Sequence, residues 1–406
     1  MSFSSGSITC KRFFVGGQAV ARVDEALLEQ LAAGAVGADG IRTADMTELG
    51  WVTGEHILDT AFDFGKNAVA DGLHFALRID TNKPPSDLVR SYQKQNEQTM
   101  REASGREFLT KAQRAEAREQ ALARADSEAK AGIFKRMRQV PVFWDLPRNE
   151  VYLGGTSSAV ADAFYLLFRQ CFDRSVTAAT AGELAARWSA KTGESRPFDA
   201  CQPAHFVNPP DGIELEAEDG SGGQEQSKDF LGTEWLTWLW YAAHVESAEI
   251  QGPQGAITVL FDRALQMECA FRMTGSLGIQ AESPTRLPEA AVALAGGKRP
   301  VRAGLQLAIH GDVFGLGIRG DMMNLAGVRV PPPQEANNDR LVFEDRIEKL
   351  RDLVGGLDSL YVAFLKRRFS NKWPTTLNAM RNWISAGRLS GGLFDSEATA
   401  PLEAVS

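Results

Sequence analysis

The chain has 406 residues, of which 44 % are hydrophobic and 24 % are charged. This composition excludes a collagen-like chain, a disulfide scaffold and a mostly disordered protein, and the length suggests two or three domains. Lys and Arg total 44 and Asp and Glu total 52, so the formal net charge is −8. A uniformly basic surface is therefore excluded, but nucleic-acid binding is not, since binding depends on where the cations lie.

The cysteines and the apolar stretches indicate the compartment. The four cysteines form no CxxC pair, which is typical of free thiols in a reducing cytosol. They are Cys10, Cys171, Cys201 and Cys269. The N-terminal residues lack the apolar run of a signal peptide, and residues 230–243, the most hydrophobic stretch, fall short of the about 20 apolar residues that span a bilayer. We therefore expect a cytoplasmic protein without a membrane partner.

The first part of the chain alternates strand and helix patterns. Residues 7–15 are typical of a strand, and Asp24–Ala33 has the apolar spacing of a helix. Leu73–Ile79 alternates apolar and polar residues, which predicts a half-buried strand. Residues 86–130 are polar and helix-prone, and Gly105 divides them into two helices. Because so few of their side chains are large and apolar, we expect an exposed helical pair.

The next part of the chain returns to strands. Residues 134–153 predict a hairpin around a turn at 146–149, and Thr156–Ser158 supplies helix caps for the segment that follows. The sequence thus predicts an N-terminal α+β domain over residues 1–190, with an exposed basic helical arm at residues 84–134.

The second half contains a different set of predicted elements. Residues 191–229 have the composition of an acidic Gly/Ser/Pro linker or loop. Residues 230–335 predict a Trp-rich helix followed by an antiparallel sheet. Residues 336–387 predict C-terminal helices, with a kink at Gly355–Gly356, and residues 388–406 predict a flexible tail. The predicted fold class is α+β, with mixed or antiparallel sheets, a projecting polar helical pair and C-terminal helices.

Two apolar patterns predict either core or dimer contacts. Residues 230–241 place apolar side chains on nearly every helical face, which favours a buried helix or a subunit contact. A heptad-like stripe begins at Phe343 and favours the same two roles. The residues expected to form these contacts are Trp235, Trp238, Phe343, Ile347, Leu350 and Val354.

Catalytic and cofactor motifs are weak. Gly315–Gly320 matches the pattern GxGxxG, but no helix of useful length follows it, so a tightly packed strand is the better interpretation. The Cys201-x3-His205 pair lacks the further ligands that zinc needs. No spacing of carboxylates identifies a catalytic pair. We therefore expect no catalytic residue, no cofactor and no metal, although distant carboxylates could still assemble a site.

The basic residues carry the stronger signal. The segment from Lys83 to Arg138 contains thirteen cationic and eight acidic residues, so its net charge is +5 while the rest of the chain is negative. Such cations can neutralise phosphates without reading bases. The alternative interpretation is a solvated helix of mixed charge. The candidate phosphate contacts are Arg90, Lys94, Arg106, Lys111, Arg114, Arg118, Lys135, Arg136 and Arg138.

Several short segments together resemble one known family. They are Asp45–Val52 followed by His56, the polar basic helices at 84–130, the hairpin of Arg138–Leu153, the capped helix after Thr156, and Phe230–Trp240. In combination, over about residues 8–172 and 230–275, they resemble the bacterial recombination-associated RdgC family. The acidic linker, the tail and the C-terminal half depart from the shorter members of that family.

The resemblance implies a function without catalysis. It implies a ring-shaped homodimer whose basic central hole encircles double-stranded DNA, without strong sequence preference, and which restrains RecA-driven strand exchange at the nucleoid. Two other classes stay open. One is a DNA-processing enzyme with an unidentified carboxylate metal site, and the other is a protein-binding adaptor that uses the Trp-rich helix and the heptad stripe.

Overall fold

The chain forms two compact units in a computed structural model. The model describes residues 3–38, 41–42, 47–105, 107–209, 227–332 and 338–389. Unit 1 consists of Met1–Ala19, Trp144–Ser158 and Val176–Ser406, and unit 2 consists of Val20–Phe143 and Ala159–Ser175. Both units contain helices and paired strands, and the strand pairs are antiparallel. The predicted α+β class is therefore confirmed.

The described residues form fourteen strands and eleven α-helices. The strands are β1 (Ile8–Val15), β2 (Ile41–Arg42), β3 (Thr47–Val52), β4 (Ala68–Val69), β5 (Gly72–Thr81), β6 (Arg136–Asp145), β7 (Glu150–Gly154), β8 (Val176–Ala178), β9 (Glu249–Gly252), β10 (Gly255–Cys269), β11 (Leu277–Ala281), β12 (Lys298–Ile309), β13 (Asp312–Arg319) and β14 (Asn324–Arg329). The helices are α1 (Glu25–Ala33), α2 (Phe64–Asn67), α3 (Ser86–Ser104), α4 (Lys111–Lys130), α5 (Ser158–Phe172), α6 (Ala181–Thr192), α7 (Ser195–Ala200), α8 (Phe230–Tyr241), α9 (Pro288–Ala295), α10 (Asp339–Arg368) and α11 (Trp373–Leu389). None of these helices is long and apolar enough to cross a membrane.

Unit 1 contains a seven-strand antiparallel path. Its strand order is β11-β10-β12-β13-β14-β1-β7, so the antiparallel sheet predicted within residues 256–330 is confirmed. Gly315–Gly320 lies along β13 and the turn after it rather than at the start of a nucleotide-binding helix. Part of the predicted linker is helical, because α7 lies within residues 191–209. Residues 210–226 and 390–406 lie outside the described ranges.

A pair of glycines lets α8 approach the β13–β14 turn. A Cβ atom on Gly232 would lie 2.1 Å from the carbonyl oxygen of Gly320, far inside van der Waals contact. The same holds in reverse, since a Cβ on Gly320 would lie 2.6 Å from the oxygen of Gly232. The last glycine of the GxGxxG pattern therefore serves close packing of backbone on backbone.

Helix α10 is continuous over 30 residues. The helix therefore runs through Gly355–Gly356 without the interruption that these glycines suggest. These glycines lie on a buried face, where a Cβ on Gly356 would lie 2.5 Å from Cδ1 of Ile309. Their role is to let the helix lie close to the sheet. The heptad-like stripe was correctly placed on a helix, and Asn338 caps it by accepting from the backbone N–H of Leu341 at 2.8 Å.

The residues expected in core or dimer contacts are all buried within unit 1. Their exposed fractions are 8 % or less for Trp235, Trp238, Phe343, Ile347, Leu350 and Val354. Trp235 packs edge-on against Tyr361, with ring centroids 5.7 Å apart. These side chains belong to the core of one chain, so they do not form an exposed subunit surface, and a dimer would have to use other residues.

Unit 2 builds its core around Trp51 on β3. The ring of Trp51 lies 5.0 Å from that of Phe75 on β5, and 6.2 Å from those of Phe164 and Phe172 on α5. Its strands follow the order β6-β5-β3-β2. The turn at 146–149 follows β6 and leads into β7, as predicted, with Asn149 in the left-handed region at φ 53°.

Strand β5 is buried on both faces, so its prediction as a half-buried strand is wrong. His74 is 3 % exposed and Arg78 is 6 % exposed, although both lie on the face predicted to be solvated. The segment between β3 and β5 contributes to this burial, because the side-chain amide of Asn67 donates to the carbonyl oxygens of Thr53 and His74 at 3.0 and 2.7 Å. Such covering depends on the connecting segment, here the short helix α2, which alternation alone does not predict.

The burial of His74 makes stability depend on pH. Burial lowers the pKa of His74 from 6.5 to about 4. Between these values the unfolded chain binds a proton that the folded chain does not, so stability falls as pH falls from about 6.5 towards 4. The free energy of unfolding falls by up to about 3 kcal/mol over this pH range. We expect the variant His74→Leu to lose part of this dependence in urea unfolding at pH 7 and pH 4.5, and an unchanged dependence would contradict the assignment.

Candidate nucleic-acid interface

The polar arm of unit 2 is an antiparallel pair formed by α3 and α4. The Tyr92 hydroxyl donates to Glu128 at 2.8 Å, and the side-chain amide of Asn96 donates to the carbonyl oxygen of Ala117 at 3.0 Å. Early residues of α3 thus meet late residues of α4. The guanidinium of Arg124 also lies 3.9 Å from the centroid of the Tyr92 ring. The predicted helical pair is therefore present.

Local sequence sets the ends of both helices. Pro84–Pro85 precedes α3, and Gly105 ends it in the left-handed conformation at φ 62°. Thr110 begins α4 with a reciprocal capping box, in which its hydroxyl accepts from the Gln113 N–H at 3.3 Å and its own N–H donates to the Gln113 side chain at 3.0 Å. Such caps are each worth about 1 kcal/mol.

The contact between the two helices uses small side chains. The buried residues of α4 are alanines four positions apart, namely Ala117, Ala121, Ala125 and Ala129. Helix α3 buries no residue fully. Because alanine fills the contact, most of the long charged side chains of the arm lie outside it and reach solvent, while Arg124 and Glu128 contact Tyr92 at its edge.

Four of the eight acidic residues in this segment bond to groups other than the candidate cations. Glu128 accepts from Tyr92 and pairs with Arg124. The glutamines of the arm donate to three further carboxylates at 2.9 to 3.3 Å, in the pairs Gln93–Glu97, Gln98–Glu102 and Gln120–Glu116. The intervening glutamates keep their charge, but none of them forms an ion pair with a candidate cation in the described ranges, so the interpretation as a solvated helix of mixed charge stays open.

Six of the nine candidates are exposed, and their side chains form no hydrogen bond or ion pair within the described part of the chain. They are Lys94, Lys111, Arg114, Arg118, Arg136 and Arg138, which we call the free cations. Arg90 pairs with Asp87 at 2.9 Å, but both side chains are at least 70 % exposed, so the pair is weak. Arg106 lies outside the described residues.

Lys135 differs from the other candidates. Its ammonium lies 3.2 Å from Asp80, whose carboxylate also receives two hydrogen bonds of 2.7 Å from Arg78. Burial would raise the pKa of Asp80, but the hydrogen bonds from Arg78 and Lys135 outweigh it and lower that pKa below its ordinary value. Lys135 therefore compensates a buried carboxylate, which makes it a weaker candidate for phosphate contact than the sequence suggested.

The candidates lie on several faces of unit 2. On α3, Arg90 and Lys94 are four residues apart and lie opposite Tyr92 and Asn96, which contact α4. On α4, Lys111, Arg114 and Arg118 share one face by their spacing of three and four. On β6, Met137 contacts Arg78 of β5, and alternation places Arg136 and Arg138 on the opposite face of the strand. The structure therefore gives three groups of cations rather than one continuous row.

Sequence analysis missed the ion network that binds Lys135. The alternation Arg78-x-Asp80 was a usable signal, since it places a cation and an anion side by side on one face of a strand. No group of three or more His, Cys, Asp or Glu side chains in the described ranges could hold a metal ion. No protein-family model and no curated protein matches this sequence.

Proposed function

We propose that this chain binds double-stranded DNA without sequence preference through the free cations of unit 2. One observation carries the proposal: six cations of a +5 segment are exposed and unpaired among the described residues, while neighbouring carboxylates bond elsewhere. Phosphate contacts of this kind supply affinity without base readout.

The resemblance to the RdgC family also suggests the cellular role of this DNA binding. On that basis the protein acts in the cytoplasm at the nucleoid, as a homodimer around duplex DNA, and restrains RecA-driven strand exchange. The core position of the Trp-rich helix removes it as a subunit contact, so the proposed dimer depends on other surfaces. Light scattering on the purified chain gives the subunit number.

Charge reversal of Lys111 and Arg114 tests the interface. Each lost contact and new repulsion is worth about 1 kcal/mol, so Lys111→Glu/Arg114→Glu is expected to weaken binding by about tenfold to a hundredfold. Because no bases are read, the loss should be equal on two labelled duplexes of unrelated sequence. The slope of log affinity against log salt should fall by about 2, and fluorescence anisotropy measures both quantities.

A matched control separates local contacts from net charge. Lys191→Glu/Arg196→Glu makes the same change of charge at exposed residues of unit 1 that have no partner among the described residues. We expect this variant to bind both duplexes nearly as well as the parent chain. Equal weakening by both variants, or unchanged affinity of Lys111→Glu/Arg114→Glu, would remove the arm from the interface.

Magnesium-dependent loss of the duplex would favour the DNA-processing enzyme, and no binding of the duplex at low salt would favour the protein-binding adaptor.

A further inference from the structure

Unit 1 contains a pocket that the proposed DNA interface does not use. Its volume is about 720 Å³, and three segments around His244, Asp262 and Thr285 line it together with Gln306. This volume lies within the range of about 300–1,000 Å³ that small-molecule sites occupy. The pocket is therefore large enough for a ligand of several fused or linked rings.

Two backbone irregularities form the walls of this pocket. Helix α8 continues into a π-helical turn over Ala242–Glu246. Strand β10 shifts register between Phe261 and Leu265, and Arg263 adopts a left-handed conformation at φ 66°. Gly304 of β12 makes room for this bulge, since a Cβ there would lie 2.0 Å from the carbonyl oxygen of Asp262. π-turns, bulges and left-handed residues of this kind concentrate at functional sites.

Hydrogen bonds fix the polar groups of the pocket. Asp262 accepts from the side-chain amide of Gln306 at 3.1 Å and lies 3.4 Å from the guanidinium of Arg263 and 3.7 Å from that of Arg329. The His244 ring nitrogen Nε2 lies 3.1 Å from the Thr285 hydroxyl. The pocket therefore offers carboxylate and hydroxyl groups whose orientation is set before a ligand arrives.

The lining combines both signs of charge with an apolar wall. The carboxylates are Glu246, Asp262 and Glu282, and the guanidiniums are Arg263 and Arg286. Val245 is 50 % exposed and, with Leu260, supplies apolar surface beside them. Carboxylates bind hydroxyl and amino donors, guanidiniums bind phosphate, and apolar side chains cover a flat ring.

We propose that this pocket binds a nucleoside phosphate, with Arg286 on the phosphate, Glu282 on the sugar hydroxyls and the base against Val245 and Leu260. A nucleoside phosphate uses all three kinds of group at once. Inorganic phosphate would use only the guanidiniums, and an uncharged nucleoside would use none of them. The inference does not depend on the proposed DNA interface, because no free cation lines the pocket.

Calorimetric titration of the full-length chain with ADP tests this site. We expect saturable binding of ADP, at least tenfold weaker binding of adenosine and of inorganic phosphate, and a loss of at least tenfold in Arg286→Gln. Glu282→Gln, at an exposed position, should weaken ADP and leave inorganic phosphate unchanged. Lys191→Gln is the control for removal of one exposed cation.

Three results would overturn the site. They are no binding of ADP at millimolar concentration, binding of inorganic phosphate as tight as that of ADP, and unchanged ADP affinity in both Arg286→Gln and Glu282→Gln. Circular dichroism checks that each variant is folded. Affinity for duplex DNA should be the same in Arg286→Gln as in the parent chain, so failure of this site is distinguishable from failure of the DNA interface.

Discussion

Replacing Arg12 with Met is expected to lower the free energy of unfolding by about 3–5 kcal/mol. Arg12 on β1 is 8 % exposed and forms two bidentate contacts, to Glu150 at 2.9 and 3.1 Å and to Asp358 at 2.7 and 2.6 Å. Glu150 is itself 7 % exposed. Without the guanidinium, a buried carboxylate is left without its cation, and burying an uncompensated charge is costly.

Urea unfolding followed by tryptophan fluorescence measures this loss. Arg319→Met is the matched control, because Arg319 also forms a bidentate pair, with Asp321 at 2.8 and 3.0 Å, but its side chain is 49 % exposed. An exposed pair is worth about 1 kcal/mol or less. If both variants lost the same free energy, burial would not be the source of the effect at Arg12.

Replacing Gly232 with Ala is expected to destabilise the protein by about 3 kcal/mol, at the upper end of the usual range for overpacking. In an exposed helix the same change would gain up to about 1 kcal/mol, since alanine is the better helix former. Here the new methyl group would meet the backbone oxygen of Gly320 at 2.1 Å. Backbone cannot rotate away as a flexible side chain can, so helix α8 must shift.

Gly278→Ala is the control for this substitution. Gly278 lies on β11, no atom lies within 4 Å of a Cβ added there, and its φ is not positive. We expect its free energy of unfolding to stay within about 0.5 kcal/mol of the parent chain. A Gly232→Ala variant as stable as the parent would show that α8 can move away from the β13–β14 turn at little cost.

The periodicity of the sequence predicted most helices and strands. It did not predict features that depend on tertiary contacts, such as which faces of a strand are buried. Helix α4 followed from its polar, helix-prone composition, and β1 was predicted at residues 7–15, because both patterns are local. The burial of both faces of β5 did not, since the covering amide comes from Asn67 in the short helix α2. Gly355–Gly356 suggested a break for the same reason, as spacing alone does not show that Ile309 lies against the helix.

The sequence likewise predicted some features of the candidate interface and not others. The net charge of residues 83–138 was visible in the sequence, and so was the shared helix face of Lys111, Arg114 and Arg118. The partner of Lys135 was not, because Asp80 lies 55 positions earlier on another strand. Nor did the sequence show that glutamines and Tyr92 occupy the carboxylates of the arm. Both facts depend on which side chains fold together.

The order of strands in unit 1 has a consequence during protein synthesis. On one side β1 pairs with β7. On the other side the short strand β8 pairs with Phe13–Val15, and the second main partner, β14, pairs with the start of β1, where Ile8 lies opposite Val328. At about 5–20 residues per second, a ribosome needs roughly 15–60 s to reach that second partner. Until then the Ile8–Cys10 part of β1 lacks its β14 partner in the nascent chain, so chaperones that protect such edges should matter most for the newly made protein.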